Sequence, residues 1–178
     1  QKALTRKPEE IKYRLALADM LAQSDRESEL RQLLGSAETL SKIAGNEADL
    51  VAGARLYLKA NDLPSAAKLL AERVARNPQS IQAKLDLAGS LVMDNRMDQA
   101  LGVLDQASTN SEGEILGLIR AQLHYDASDF EKAQEELHAL DADLKVEASG
   151  VKTEFIPEAW NPLFEQPAPP EFLKARCA

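Results

Sequence analysis

The sequence predicts an all-α fold: a right-handed α-solenoid of antiparallel helix pairs, followed by a C-terminal segment that does not repeat. Two observations carry this. Stretches of the chain superimpose at a spacing of 34 and then 33 residues: Ala54, Ala88 and Ala121 correspond, as do Leu63, Met97 and Phe130, then Ala66, Ala100 and Ala133, then Leu70, Leu104 and Leu137. A period in this range means one supersecondary unit copied and stacked. The composition agrees, with 44% hydrophobic residues but only 4% aromatic ones. Alanine and leucine dominate, which suits closely packed helices rather than strands.

The elements follow in order. Residues 1–150 form the solenoid, with a half-repeat at 1–8 and repeats at about 9–46, 47–79, 80–112 and 113–148; residues 151–178 are a separate tail. In the second repeat, Leu50, Ala54, Tyr57 and Leu58 mark a helical stripe from about Glu47 to Ala60. Asn61-Asp62 supplies the turn, because Asn tolerates the left-handed conformation that stops a helix. The partner helix runs from about Leu63 to Arg76 and buries Leu63, Ala66, Leu70 and Val74, and Pro78 closes the unit. The third repeat has helices over about Ser80–Asp94 and Met97–Ser108, joined at Asn95-Arg96. In the fourth, Gly113–Ala127 is joined through Ser128-Asp129 to a helix from Phe130 to about Val146.

Alanine at the crossing points has a physical reason. Helix axes approach to the close end of the usual range of about 8–10 Å only when the residue between them is small. Ala54 with Ala66, and Ala88 with Ala100, sit where the two helices of a repeat should touch. The first repeat is weaker. Leu17, Ala18 and Leu21 match Leu87, Ala88 and Leu91, while Leu34 and Ala37 match Leu104 and Ala107. Ala18 to Ala54 is 36 residues, so two extra residues are expected, in the Lys42–Asn46 connection. Leu30 stands where other repeats have Ala, which predicts a splayed pair. Gln1–Pro8 fits the end of a second helix, so the chain is expected to open in mid-repeat, with further repeats upstream; the alternative is a lone capping helix.

These residues resemble the tetratricopeptide repeat family, a 34-residue helix–turn–helix unit. The resemblance rests on Gly53-Ala54, Tyr57, Ala66 and Pro78 in one repeat, and on Leu87-Ala88, Leu91 and Ala100 in the next. The family's early tryptophan is absent, and Gly53 and Arg120 stand where a large apolar residue belongs. The resemblance implies a concave surface lined by the first helix of each pair. By phase, the inward residues are Lys12, Leu15, Asp19 and Ala22 in the first repeat, and Val51, Arg55, Leu58 and Lys59 in the second. The third contributes Leu85, Gly89, Val92 and Met93, and the fourth Leu118, Gln122 and Tyr125. A mostly apolar groove suits an extended peptide or an amphipathic helix of a protein partner. Family members that clamp the acidic C-terminus of a chaperone use basic and amide residues where this chain has Leu15, Val51, Leu85 and Leu118, so that subtype is disfavoured.

The tail holds five of the eight prolines and four of the eight aromatic residues, Phe155, Trp160, Phe164 and Phe172. Its prolines rule out a long helix, and its aromatic anchors are unlike typical disorder. Three roles compete: a cap on the last helix pair, a built-in ligand across a groove, or a linker to a separate partner. Pro167-Ala168-Pro169-Pro170 reads as a polyproline II stretch.

Chemistry is not predicted. A net charge of −8 argues against nucleic acid as a ligand. The single cysteine, Cys177, permits neither an intramolecular disulfide nor a thiolate metal cage. His124 takes the slot of Tyr57, and His138 should face solvent; no His-x-x-x-His, phosphate loop or Gly-x-Ser-x-Gly is present. The acidic run Glu131, Glu135, Glu136, Asp141, Asp143 and Glu147 reads as a solvated helical face. No cofactor or metal is expected, nor any segment long and apolar enough to insert into a membrane. Cytosol and periplasm both remain open. The residues point to a non-catalytic scaffold or adaptor, and the resemblance extends to repeat proteins of bacterial cell-envelope assemblies. The alternative is a regulatory solenoid joined to an enzyme whose catalytic domain lies outside this chain.

Overall fold

The computed structural model describes residues 8–35, 37–105 and 113–139. Among these, all regular structure is helical: α1 (Pro8–Gln23), α2 (Glu27–Leu34), α3 (Ala37–Ile43), α4 (Glu47–Lys59), α5 (Leu63–Arg76), α6 (Ile81–Met93), α7 (Met97–Asp105), α8 (Gly113–Asp126) and α9 (Phe130–Ala139). The chain divides into two compact units, Gln1–Pro78 and Gln79–Ala178. The expected half-repeat at 1–8 falls almost entirely outside the described residues, as does the whole tail.

Helix boundaries follow local chemistry. Asn46 accepts a hydrogen bond from the Asp49 amide at 2.9 Å, Asp62 from Ser65 at 3.2 Å, Ser80 from Ala83 at 3.2 Å and Asp129 from Lys132 at 3.4 Å, so α4, α5, α6 and α9 start on side-chain caps. Pro64 stands in the first turn of α5, where its missing N–H costs nothing. Each helix pair turns through one residue at positive φ: Asp25 (53°), Asn61 (52°), Asn95 (58°) and Ser128 (62°). The amide after each of them closes the helix by reaching back five residues, from Arg26 to Leu21, Asp62 to Tyr57, Arg96 to Leu91 and Asp129 to His124. This is the Schellman closure, and it recurs with the spacing of the sequence repeat. Asp62 then caps the next helix, so one residue ends one helix and begins another.

In the first unit α4 packs along α5, α1 packs on α2 and α4, and α3 lies against α4 and α5. Ala54 and Ala66 are fully buried beside Leu50, Leu69 and Leu70. The first repeat departs from the expected pattern. Its second helix stops at Gly35, whose combination of φ 67° with ψ −150° is essentially open to glycine alone, and α3 is a separate seven-residue helix. Ala37 therefore opens α3 rather than continuing the register of Leu34. Leu30 is fully buried.

The extra helix accounts for Gly53. A Cβ built there would lie 2.5 Å from Leu40 Cδ2 and 3.0 Å from Leu69 Cδ1. Leu40, fully buried on α3, fills the space that a large side chain on α4 would occupy. Reciprocal ties hold the short helices. Arg31 of α2 donates to the Ala60 carbonyl at the end of α4, at 2.9 and 2.5 Å, and Tyr57 of α4 donates to the Gly35 carbonyl at the end of α2, at 2.6 Å. Burial, with Asp62 adding to it, pushes the Tyr57 phenol up to about 12. Arg76 of α5 donates to the Ala44 and Ser41 carbonyls at the end of α3, each at 3.3 Å. Cationic donors at helix C-termini complement both the orphan carbonyls and the dipole. The mostly buried Arg73 of α5 meets Glu47 in the first turn of α4 at 2.6 Å.

In the second unit α6 packs on α7, α7 on α8 and α8 on α9. Ala88 and Ala100 are fully buried, and Ala121 and Ala133 nearly or fully so. Arg120, at the other unusual position, spans to α9 and meets Glu136 through two contacts of 3.0 and 2.8 Å. Glu136 is thus a partner of Arg120, not part of a freely solvated face; Glu131 and Glu135 are exposed as expected.

Candidate functional site

The inward positions of the first unit form a mixed surface. Leu15 and Asp19 on α1, and Val51, Arg55 and Leu58 on α4, are partly exposed, and Lys59 is exposed. Lys59 Nζ donates to Asp19 Oδ1 at 3.3 Å, which ties α1 to α4 across this surface. The second unit differs. Leu85 is fully buried, Leu118 is 3% exposed, Gln122 is 7% exposed, and Gly89 is buried as well. Val92, Met93 and Tyr125 are partly exposed; the Tyr125 ring meets the edge of Phe130 at 5.5 Å between centroids. A mostly apolar groove was expected across all of these positions, and only the first unit's inward residues reach solvent throughout. The anchors Phe155, Trp160, Phe164 and Phe172 lie outside the described residues.

A surface the sequence reading missed lies on α1. Tyr13, Leu17 and Met20 are 72%, 48% and 65% exposed. They stand at i, i+4 and i+7, one face of a helix. A second stripe, Ile11, Ala18 and Leu21, about a third of a turn away, is buried in the unit. Leu17 was expected in the core with Leu87, which is 6% exposed; it points to solvent instead. The signal was present in the sequence, because α1 carries two apolar stripes, and each stripe asks for cover.

Among the described residues no group of three His, Asp, Glu or Cys could hold a metal ion. His124 lies 4.0 Å from Asp129, and His138 is exposed on α9. The Lys132 ammonium, hydrogen-bonded to Asp129, holds that carboxylate below its usual range. An open hollow at the α1–α2 turn is lined by charged residues such as Asp25, Arg26 and Glu29, the last two already paired with each other. No helix of the described residues is long and apolar enough to cross a membrane.

Residues 57–114, from α4 through α7 to the start of α8, match the tetratricopeptide repeat family. The repeats of this chain are tetratricopeptide-like. Neither a curated protein nor a solved structure matches it. Tetratricopeptide repeats generally mediate contacts between proteins, and the matched residues take in the second helix of one repeat and the whole of the next, with its Ala88–Ala100 crossing. Within this frame, one repeat position is met in three ways: Gly53 is filled from outside by Leu40, Leu87 fills its own space, and Arg120 is bound by Glu136.

Proposed function

We propose that this chain is a non-catalytic scaffold that holds a helical segment of a protein partner, as an adaptor within a larger assembly. The observation that supports this reading is the exposed Tyr13–Leu17–Met20 stripe. The register-equivalent faces of later repeats indicate what such a stripe accepts. On α8 the equivalents of Tyr13 and Met20 are Leu116 and Leu123, both fully buried, and the preceding helix α7 packs on α8. On α4 the equivalents of Leu17 and Met20 are Gly53, covered by Leu40 of α3, and Leu56, 3% exposed. A face that is covered at these equivalent positions suits an amphipathic helix with apolar residues at i, i+3 or i+4, and i+7. The inward residues Leu15, Asp19, Val51, Arg55, Leu58 and Lys59 would hold a neighbouring stretch of the same partner.

A photo-crosslinking residue placed at Tyr13 tests this in the native host. It should join the chain to one defined protein, and Leu17→Glu with Met20→Glu should abolish the adduct while far-ultraviolet circular dichroism is unchanged. An adduct that survives in the folded double variant refutes the reading.

A further inference from the structure

We infer that the helix received by the α1 stripe is α1 of a second copy of this chain, packed antiparallel across a two-fold axis at Ala16. This rests on the scaffold reading above and names the partner of that same surface.

The symmetry of the face singles out a second copy. Tyr13 and Met20 are seven residues apart, two turns of helix or about 10 Å along its axis. Lys12 and Asp19 are also seven apart, and at about 100° per residue both fall on one edge of the stripe. The two pairs share a midpoint at Ala16, to within half a residue. Ala16 is itself exposed, and a small residue at a crossing lets two helix axes approach closely, as Ala54 and Ala66 do inside the fold. A two-fold interface is isologous, so a residue that touches another is met by the same pair on the far side of the axis. An antiparallel copy centred on Ala16 therefore sets each Tyr13 beside the other copy's Met20, with Leu17 between them.

Charge selects the same arrangement. Lys12 is exposed and Asp19 partly so. The antiparallel pairing brings each Lys12 to the other copy's Asp19, twice over, at the flank of an apolar seam where such pairs set orientation in coiled coils. A parallel pairing would set Lys12 on Lys12 and Asp19 on Asp19. Asp19 already accepts from Lys59 at 3.3 Å through Oδ1 and from Gln23 at 2.8 Å through Oδ2. Two carboxylate oxygens offer about four lone-pair positions, so a further cation is accommodated. A stripe this narrow cannot supply the about 800 Å² per partner of a standard stable interface, so the dimer should form reversibly as concentration rises.

Sedimentation velocity of the purified full chain tests this, from about 1 μM to about 1 mM, the range of weak complexes. The chain should pass from monomer to dimer. Lys12→Asp and Asp19→Lys, each with unchanged far-ultraviolet circular dichroism, should each raise the required concentration on the order of tenfold, because like charges then meet. An equimolar mixture of the two variants should recover wild-type association, since opposite charges meet again at both ends. An independent readout uses Ala16→Cys in a Cys177→Ser background. It should form a covalent dimer in air, whereas Gln23→Cys should not, because two copies of Gln23 would stand about 20 Å apart, beyond the reach of a disulfide. A chain that stays monomeric throughout overturns the inference. If Tyr13 then captures a different protein in the host, the scaffold reading survives without the second copy; if it captures nothing, both fall. Variants that dimerise like the wild type, a mixture no tighter than its components, or equal oxidation of the two cysteine variants also overturn it.

Discussion

The contact between Gly53 and Leu40 makes a prediction whose sign depends on background. Replacing a mid-helix glycine with alanine ordinarily stabilises by about 1 kcal/mol, through helix propensity and a less free unfolded chain. Here the new Cβ would fall 2.5 Å from Leu40 Cδ2, about 1 Å inside ordinary contact, so the fully buried Leu40 side chain would have to shift. Overpacking of this kind costs about 1–3 kcal/mol. Gly53→Ala should therefore destabilise by about 0–2 kcal/mol. Leu40→Ala should cost about 2–5 kcal/mol through lost burial and the cavity left behind. In the Leu40→Ala background the clash is gone, and Gly53→Ala should stabilise by about 1 kcal/mol, less whatever Leu69 Cδ1 at 3.0 Å takes back. The coupling energy should be about 1–3 kcal/mol. Urea denaturation of the four proteins, followed by circular dichroism at the helix band, measures it. Additive effects, or a Gly53→Ala change that stabilises both backgrounds equally, would show that Leu40 does not occupy the place of the missing side chain.

Three further outcomes follow from the turns and buried polar groups. Asn61→Val and Asn95→Val should each cost roughly 1–2 kcal/mol, because both positions hold positive φ, while the glycine variants should be close to neutral; thermal melts separate the two sets. The Tyr57 phenol is raised above its unfolded value, so the protonated form is favoured by folding; its contribution is complete below about pH 10 and is lost as pH rises through about 12, and Tyr57→Phe should remove the latest tyrosinate absorbance step. Arg120→Ala should cost about 1–2 kcal/mol by stranding a three-quarters-buried Glu136, and Arg120→Ala with Glu136→Leu should recover most of that in a denaturant titration.

The two middle repeats were legible because every local cue agreed there. Asn61 and Asn95 sit at the αL turns, Asp62 and Ser80 at caps, and alanines at the crossings, and the observed α4 and α5 match the predicted spans to within a residue. The first repeat was not, because its logic is tertiary. Nothing near Leu40 in sequence announces that it fills a hole at Gly53, and nothing local to Gly35 distinguishes a helix break from an inserted loop. The Arg120–Glu136 pair was obscured in the same way, since Glu136 belongs to an acidic run and its partner is on another helix. For the candidate surface, phase sorted helix residues by direction, but direction is not access. Leu85 and Leu17 exchanged their expected environments because cover depends on which neighbour is present.

The ties around α3 bear on how this protein is born. Synthesis runs from the N-terminus, and domains close as their parts emerge. Arg31 must wait for Ala60, Gly35 for Tyr57, and the end of α3 for Arg76, the last residue of α5. A seven-residue helix is too short to persist in water unaided. On the ribosome, α3 and its Leu40 side chain therefore stay unsheltered until α5 is complete, and the first unit shuts from its far end, like a clasp whose final tooth engages all the earlier ones.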